Sequence, residues 1–106
     1  MMNSDNLKSM LQQGQDNLLL RFGLGQALIN EKKYAEAAEH LQKALTFNPD
    51  HSSSWKLLGK AWVELDDKQR ALETFEQGIE VAERCGDLQA AKEMKVFHKR
   101  LKKLSV

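Results

Sequence analysis

One proline and six glycines in 106 residues leave too few turn-forming positions for an all-β fold, which needs a turn every few residues. A single cysteine, Cys85, cannot close an internal disulfide, and that fits a reducing compartment. It sits beside Arg84 but has no adjacent base, so an inert thiol is expected. No apolar run follows a basic start at the N-terminus, and nothing approaches the apolar length of a membrane span. A cytoplasmic protein is the expectation. Charge of one sign is missing too: 16 Lys and Arg stand against 15 Asp and Glu, a formal net charge of +1. That balance argues against a general polyanion binder. The three histidines, His40, His51 and His98, are scattered, and no set of ligands converges as a metal site requires. There is no Gly-rich phosphate loop and no Ser/His/Asp or Cys/His set with sequence support. The expectation is a non-enzyme with no cofactor, no metal and no small-molecule substrate.

What is present is a repeat. Leu24-Gly25 returns as Leu58-Gly59 after 34 residues, and Ala27 as Ala61, Ala37 as Ala71, Ala44 as Gly78. Large apolar residues keep the same step: Leu28 and Trp62, Ile29 and Val63, Leu41 and Phe75, Leu45 and Ile79. A fixed period in this range marks a helical array. Each copy holds two apolar sets at helical spacing, hence two helices. A glycine inside a helix costs roughly 1 kcal/mol relative to alanine, so its recurrence needs a gain. Close approach of paired helices supplies one, with Gly25 expected to face Ala37 and Gly59 to face Ala71.

Taken in order, Ser4-Asp5 is expected to cap a short helix with Leu7, Met10 and Leu11 on one face. Asp16-Asn17 opens a helix running to about Asn30, and Glu31-Lys32-Lys33 makes the turn. A helix over Tyr34 to Phe47 follows and ends at Asn48-Pro49-Asp50, since proline cannot continue it. One of Ser52, Ser53 and Ser54 is expected to cap the next helix, through Trp55 and Trp62. Asp66-Asp67 starts a return helix from Lys68 to Arg84, and Cys85-Gly86-Asp87 combines a stop with a new cap. The last helix carries a stripe of Ala90, Met94, Phe97, Leu101 and Leu104, which fits the repeat if one residue is inserted near Gly86. Glu36 and His40, four apart, are expected to form a solvated pair.

Leu24, Gly25, Ala37, Leu41, Ala44 and Pro49 in the first copy, and Trp55, Leu58, Gly59, Ala71, Phe75 and Gly78 in the second, resemble the tetratricopeptide repeat, TPR. Arg21 stands where that family prefers an aromatic, Leu28 and Trp62 replace its usual Tyr, and Glu83 occupies the proline position. The resemblance implies an all-α, right-handed stack of antiparallel helix hairpins with five to six helices. It divides one domain, 1–106, into an N-terminal half-repeat (1–17), two repeats (18–51 and 52–85) and a C-terminal capping helix (86–106).

The resemblance also implies a non-enzymatic protein-interaction module whose first helices line a concave face for a peptide or partner helix. The implied site residues are Leu19, Phe22, Gln26, Ile29 and Asn30, then Lys56, Lys60 and Val63, then Lys95 and Lys99. An apolar end would thus adjoin a basic wall suited to an acidic-hydrophobic protein or peptide partner. Phe22 and Ile29 could instead lie under the N-terminal helix. The carboxylate clamp of chaperone-binding members would fall on Phe22, Gln26, Leu57, Leu88 and Lys92, which makes a poor clamp. Two alternatives stay open. Residues 86–106 carry six Lys or Arg and two acids, a charge of +4, suited to nucleic acid or an anionic surface. Self-association as a homo-oligomer, end to end or by swapping terminal helices, is the other.

Overall fold

The computed structural model describes residues 3–104; Met1-Met2 and Ser105-Val106, the outermost parts of the two flanking segments, lie outside the described residues. Among the described residues there are six α-helices and no strand: α1 (Ser4–Gln12), α2 (Leu18–Asn30), α3 (Tyr34–Phe47), α4 (Ser52–Glu64), α5 (Lys68–Cys85) and α6 (Leu88–Lys103). Each packs on the next, and α2, α4 and α6 also touch in succession. Among the described residues α3 and α5 make no such contact. The even-numbered helices therefore form the closer, inner layer of a bent stack measuring 46 × 28 × 22 Å.

Turn chemistry repeats with the sequence. Lys32 and Asp66, 34 residues apart, both adopt positive φ, 61° and 59°. Around each, backbone N–H groups fold back on the preceding helix: Lys32 to Ile29 and Lys33 to Leu28, then Asp66 to Val63 and Asp67 to Trp62. This satisfies carbonyls that a helix end otherwise leaves open, using a left-handed residue as the hinge. Gly86, at φ 81°, closes α5 the same way, through its own N–H and that of Asp87.

The main core joins α3 through α6, with Leu41, Phe75 and Met94 fully enclosed. A smaller core holds Leu7 against Leu20, Leu24 and Ala27. The glycines face larger neighbours than the sequence suggested. A β-carbon on Gly25 would lie 2.5 Å from the Leu41 side chain, and one on Gly59 would collide with the Phe75 ring. Gly78 makes room for Met94 and Trp55. The nearest contact of Gly25 and of Gly59 is thus a large side chain on the partner helix, Leu41 or Phe75, rather than Ala37 or Ala71.

Other expectations change in detail. The helix caps Asn17, His51 and Asp87 stand 34 and then 36 residues apart, so the insertion before the last helix is two residues, not one. The cause is α5: without a proline at its end it runs 18 residues where α3 runs 14. None of Ser52, Ser53 and Ser54 is the cap of α4, because all three lie within it and His51 takes that place. Asn3, one residue before the expected Ser4-Asp5, caps α1. Leu104 is 76% exposed, so the buried stripe of α6 ends at Leu101. Glu36 pairs with Lys8 at 2.9 Å, leaving His40 to meet the Arg21 guanidinium at 3.0 Å.

Candidate functional site

The inner layer collects most of the residues expected to form a site. On α2, Leu19 is 75% exposed, and Gln26 and Asn30 are exposed beside it. Phe22 and Ile29 are half-buried and pack against the main core rather than under α1, whose Leu7 rests on the other side of the helix. Phe22 meets His51 edge to face at 4.9 Å between ring centres. The His51 ring is held by the Ser54 hydroxyl at 2.7 Å. Burial lowers the His51 pKa, favouring a neutral ring against the phenyl group.

The expected basic wall is broken. Lys56 is paired with Glu93 at 3.0 Å, and Lys56 in turn holds the Glu93 carboxyl below its ordinary value. Lys95 turns toward α5 and pairs with Glu83 at 2.7 Å. Lys60 lies 5.6 Å from the centre of the Phe97 ring, a cation–π arrangement. Lys99 is exposed, with no acid at ion-pair distance among the described residues. Two of the four lysines are therefore neutralised.

The two-residue insertion also shifts the inner face of α6. Aligned on the caps, its inner positions are Gln89, Lys92, Val96, Lys99 and Arg100, whereas a one-residue insertion would place Leu88, Ala91, Lys95, His98 and Lys99 there. His98 points to Glu76 on α5 at 2.8 Å, as Lys95 points to Glu83. Val96, 44% exposed, joins Val63, 37% exposed, as an apolar residue of the inner face. The sequence held the signal for this: Asp87 is a good cap, and counting from it places Val96 inward. Near the end of that face a cleft of about 320 Å³ lies between Val63, Asp66, Lys68, Leu101 and Leu104. A second cleft, about 400 Å³, opens between α3, α4 and α5, floored by Leu45, Trp55 and Trp62. Among the described residues no group of three or more His, Cys, Asp or Glu could hold a metal ion. No helix there is long and apolar enough to cross a membrane.

A tetratricopeptide repeat family model matches residues 28–94, which is more than half of the chain and includes both seams built on Gly59 and Gly78. The chain belongs to the tetratricopeptide repeat family. It is 45% identical over 97 residues to a TPR repeat-containing protein of Pseudomonas aeruginosa, covering 92% of each chain. A solution structure of a protein from Bordetella parapertussis superposes with a TM-score of 0.85 at 39% identity, over 97% of this chain and 90% of that one. The crystal structure of a tetratricopeptide repeat domain protein from Salinibacter ruber gives 0.78 at 25% identity, over 84% and 99%. The right-handed TPR stack expected from the sequence is the fold of this protein. Such domains generally mediate protein–protein interaction. In the corrected frame the third-helix clamp positions become Gln89 and Glu93 instead of Leu88 and Lys92. An acid already bound to Lys56 replaces the expected cation, so the clamp reading loses further support.

Proposed function

We propose that the inner face of α2, α4 and α6 binds a protein segment, an amphipathic helix or extended peptide carrying apolar residues flanked by acids. The observation that carries this reading is the apolar series Leu19, Phe22, Ile29, Val63 and Val96, only partly covered, on the layer where helices α2, α4 and α6 converge. Exposed apolar groups at helical spacing mark a partner surface more often than isolated ones do. Gln26 and Asn30 supply amide groups for a backbone, while Lys60, Lys99 and the corrected neighbours Lys92 and Arg100 favour acids. Lys56 and Lys95 contribute less, since each is already paired. The module acts by binding and carries no catalytic step.

Panning a displayed library of acidic-hydrophobic peptides tests this. Retained peptides are expected to lose at least tenfold in affinity for Phe22→Ala combined with Val63→Asp, while circular dichroism stays that of the parent. Unchanged binding by that variant would remove the inner face from the site.

A second reading rests on the exposed Lys92, Lys99, Arg100, Lys102 and Lys103 of α6, none of which has an acid at ion-pair distance among the described residues. Nucleic acid held by several phosphates would lose roughly 0.9 log unit of affinity per phosphate for each tenfold rise in salt. A peptide in the apolar groove would lose far less. Steeply salt-dependent binding of single-stranded RNA, abolished by Lys99→Glu with Lys103→Glu, would favour the second reading.

A further inference from the structure

The charges of this chain are evenly mixed except at one end. Residues 1–64 hold seven acids and seven bases, residues 65–85 six acids and three bases, and residues 86–106 two acids and six bases. The excess of each sign forms a stripe. Glu73, Glu76, Glu80 and Glu83 on α5 step by three, four and three residues, which keeps them on one helix face, and all are exposed. Lys92, Lys95, Lys99 and Lys102 on α6 step by the same three, four and three, and all are exposed. The stripes run side by side and antiparallel, tied by Lys95–Glu83 at 2.7 Å and His98–Glu76 at 2.8 Å.

We infer that this acid-and-base end is a self-association surface that pairs with a second copy of the chain. A two-fold axis running along the two helices would lay the glutamate stripe of each copy over the lysine stripe of the other. Because that axis preserves height along the helices, the residues opposed between copies are those already level within one copy. Glu83 meets the level of Lys95, and Glu76 the level of Lys99 and Lys102. The surface is self-complementary in the way a two-fold interface must be. A polyanion fits it less well, since phosphates along the lysine stripe would run beside four glutamates. The size also sets expectations. Sixteen residues of α6 span about 24 Å, and two helices side by side give about 500 Å² per copy, the lower end for a specific interface. Exposed ion pairs are individually weak and screened by salt, so the dimer is transient and salt-sensitive.

Sedimentation of the full chain at about 20 mM and about 500 mM NaCl reads this directly. The mass is expected to rise from 12.1 kDa toward twice that value at low salt and to return at high salt. Glu73→Lys with Glu80→Lys should be monomeric at low salt, as should Lys92→Glu with Lys99→Glu, each with unchanged helicity by circular dichroism. Mixed in equal amounts, the two variants should form a heterodimer tighter than the parent dimer, because one face then carries six lysines to two glutamates and the other six glutamates to two lysines. Phe22→Ala should not alter the association. A parent chain that stays monomeric at low salt, a dimer that resists both salt and charge reversal, or variants that fail to pair on mixing would each overturn the inference. So would low-salt capture of RNA by a monomeric parent, lost in the lysine-reversed variant.

Discussion

The two ends of the stack are built differently. α6 sends Ala90, Ala91, Met94 and Leu101 into the same core that holds Leu41, Trp62 and Phe75, and it touches both α5 and α4. Among the described residues α1 packs its apolar side on α2, through Leu7 and the partly buried Met10 and Leu11, in a separate small core, and reaches α3 through an ion pair. Polar hooks add to it: Glu31 accepts hydrogen bonds from the Ser4 backbone at 3.0 Å and the Ser4 hydroxyl at 2.7 Å, and Lys8 reaches Glu36. A terminal helix in a stack has only one neighbour layer to bury against. One end meets that limit with a deep apolar anchor, the other with a shallow one and hydrogen bonds. The C-terminal end should therefore melt with the whole molecule, and the N-terminal end should open by itself.

The sharpest way to break this comparison is to cut each anchor. Met94 is fully enclosed against Gly78, so Met94→Ala is expected to cost about 2–5 kcal/mol in urea unfolding, with one cooperative transition. Leu7→Ala should cost about 2 kcal/mol or less, because the site lies at an edge and can collapse. The comparison fails if Leu7→Ala costs as much as Met94→Ala.

Hydrogen exchange sharpens the same contrast. In the Leu7→Ala protein, the amides of α1 should exchange at least tenfold faster than in the parent, while those of α3 to α6 keep their protection. In the Met94→Ala protein all helices should lose protection together. Uniform acceleration by Leu7→Ala would mean that α1 is part of the main cooperative unit.

Much of this architecture was legible because it depends on local chemistry. The glycine register, the Asn48-Pro49 stop, the Gly86 turn and the Asp67 and Asp87 caps are set within a few residues, and the helix bounds they imply lie within one or two positions of the observed ones. Contacts between helices were less legible. That Gly59 makes room for Phe75 rather than Ala71 depends on the rotation of two helices about their axes, which spacing within either helix does not fix. The fate of the site lysines was hidden for the same reason. Glu93 and Glu83 lie 37 residues after Lys56 and 12 before Lys95, and only the packing of α6 brings them together. The frame shift of α6 lies between these cases: the missing proline after α5 is visible in the sequence, but the length of the extra turn it permits, which makes the insertion two residues rather than one, is not.

The smallest expected effect concerns acid, and it again separates the ends. Asp87 caps α6 by accepting from the Ala90 backbone at 3.2 Å and also accepts from the Ser52 hydroxyl, which ties α6 to α4. The Ser52 bond first, and the Ala90 bond second, hold its carboxyl below the ordinary value. At the other end the Ser4 hydroxyl and then the Ser4 backbone do the same for Glu31. A carboxyl whose folded pKa is depressed gives stability that is full above its unfolded value, about 4, and is lost as pH falls through the folded value. Both ends should therefore weaken below about pH 4, but only the α6 end is coupled to the main core. Asp87→Asn keeps a capping oxygen while removing the charge, so at neutral pH it should cost under about 1 kcal/mol. Its acid limb should be shallower than the parent's, because one titrating group that favours the fold is gone. Glu31→Gln should leave the acid limb of global unfolding almost unchanged and alter only the exchange of α1. Measuring urea midpoints from pH 7 down to about 3 for the three proteins decides it. Equal acid limbs for Asp87→Asn and the parent would show that the cap contributes through its hydrogen bonds alone.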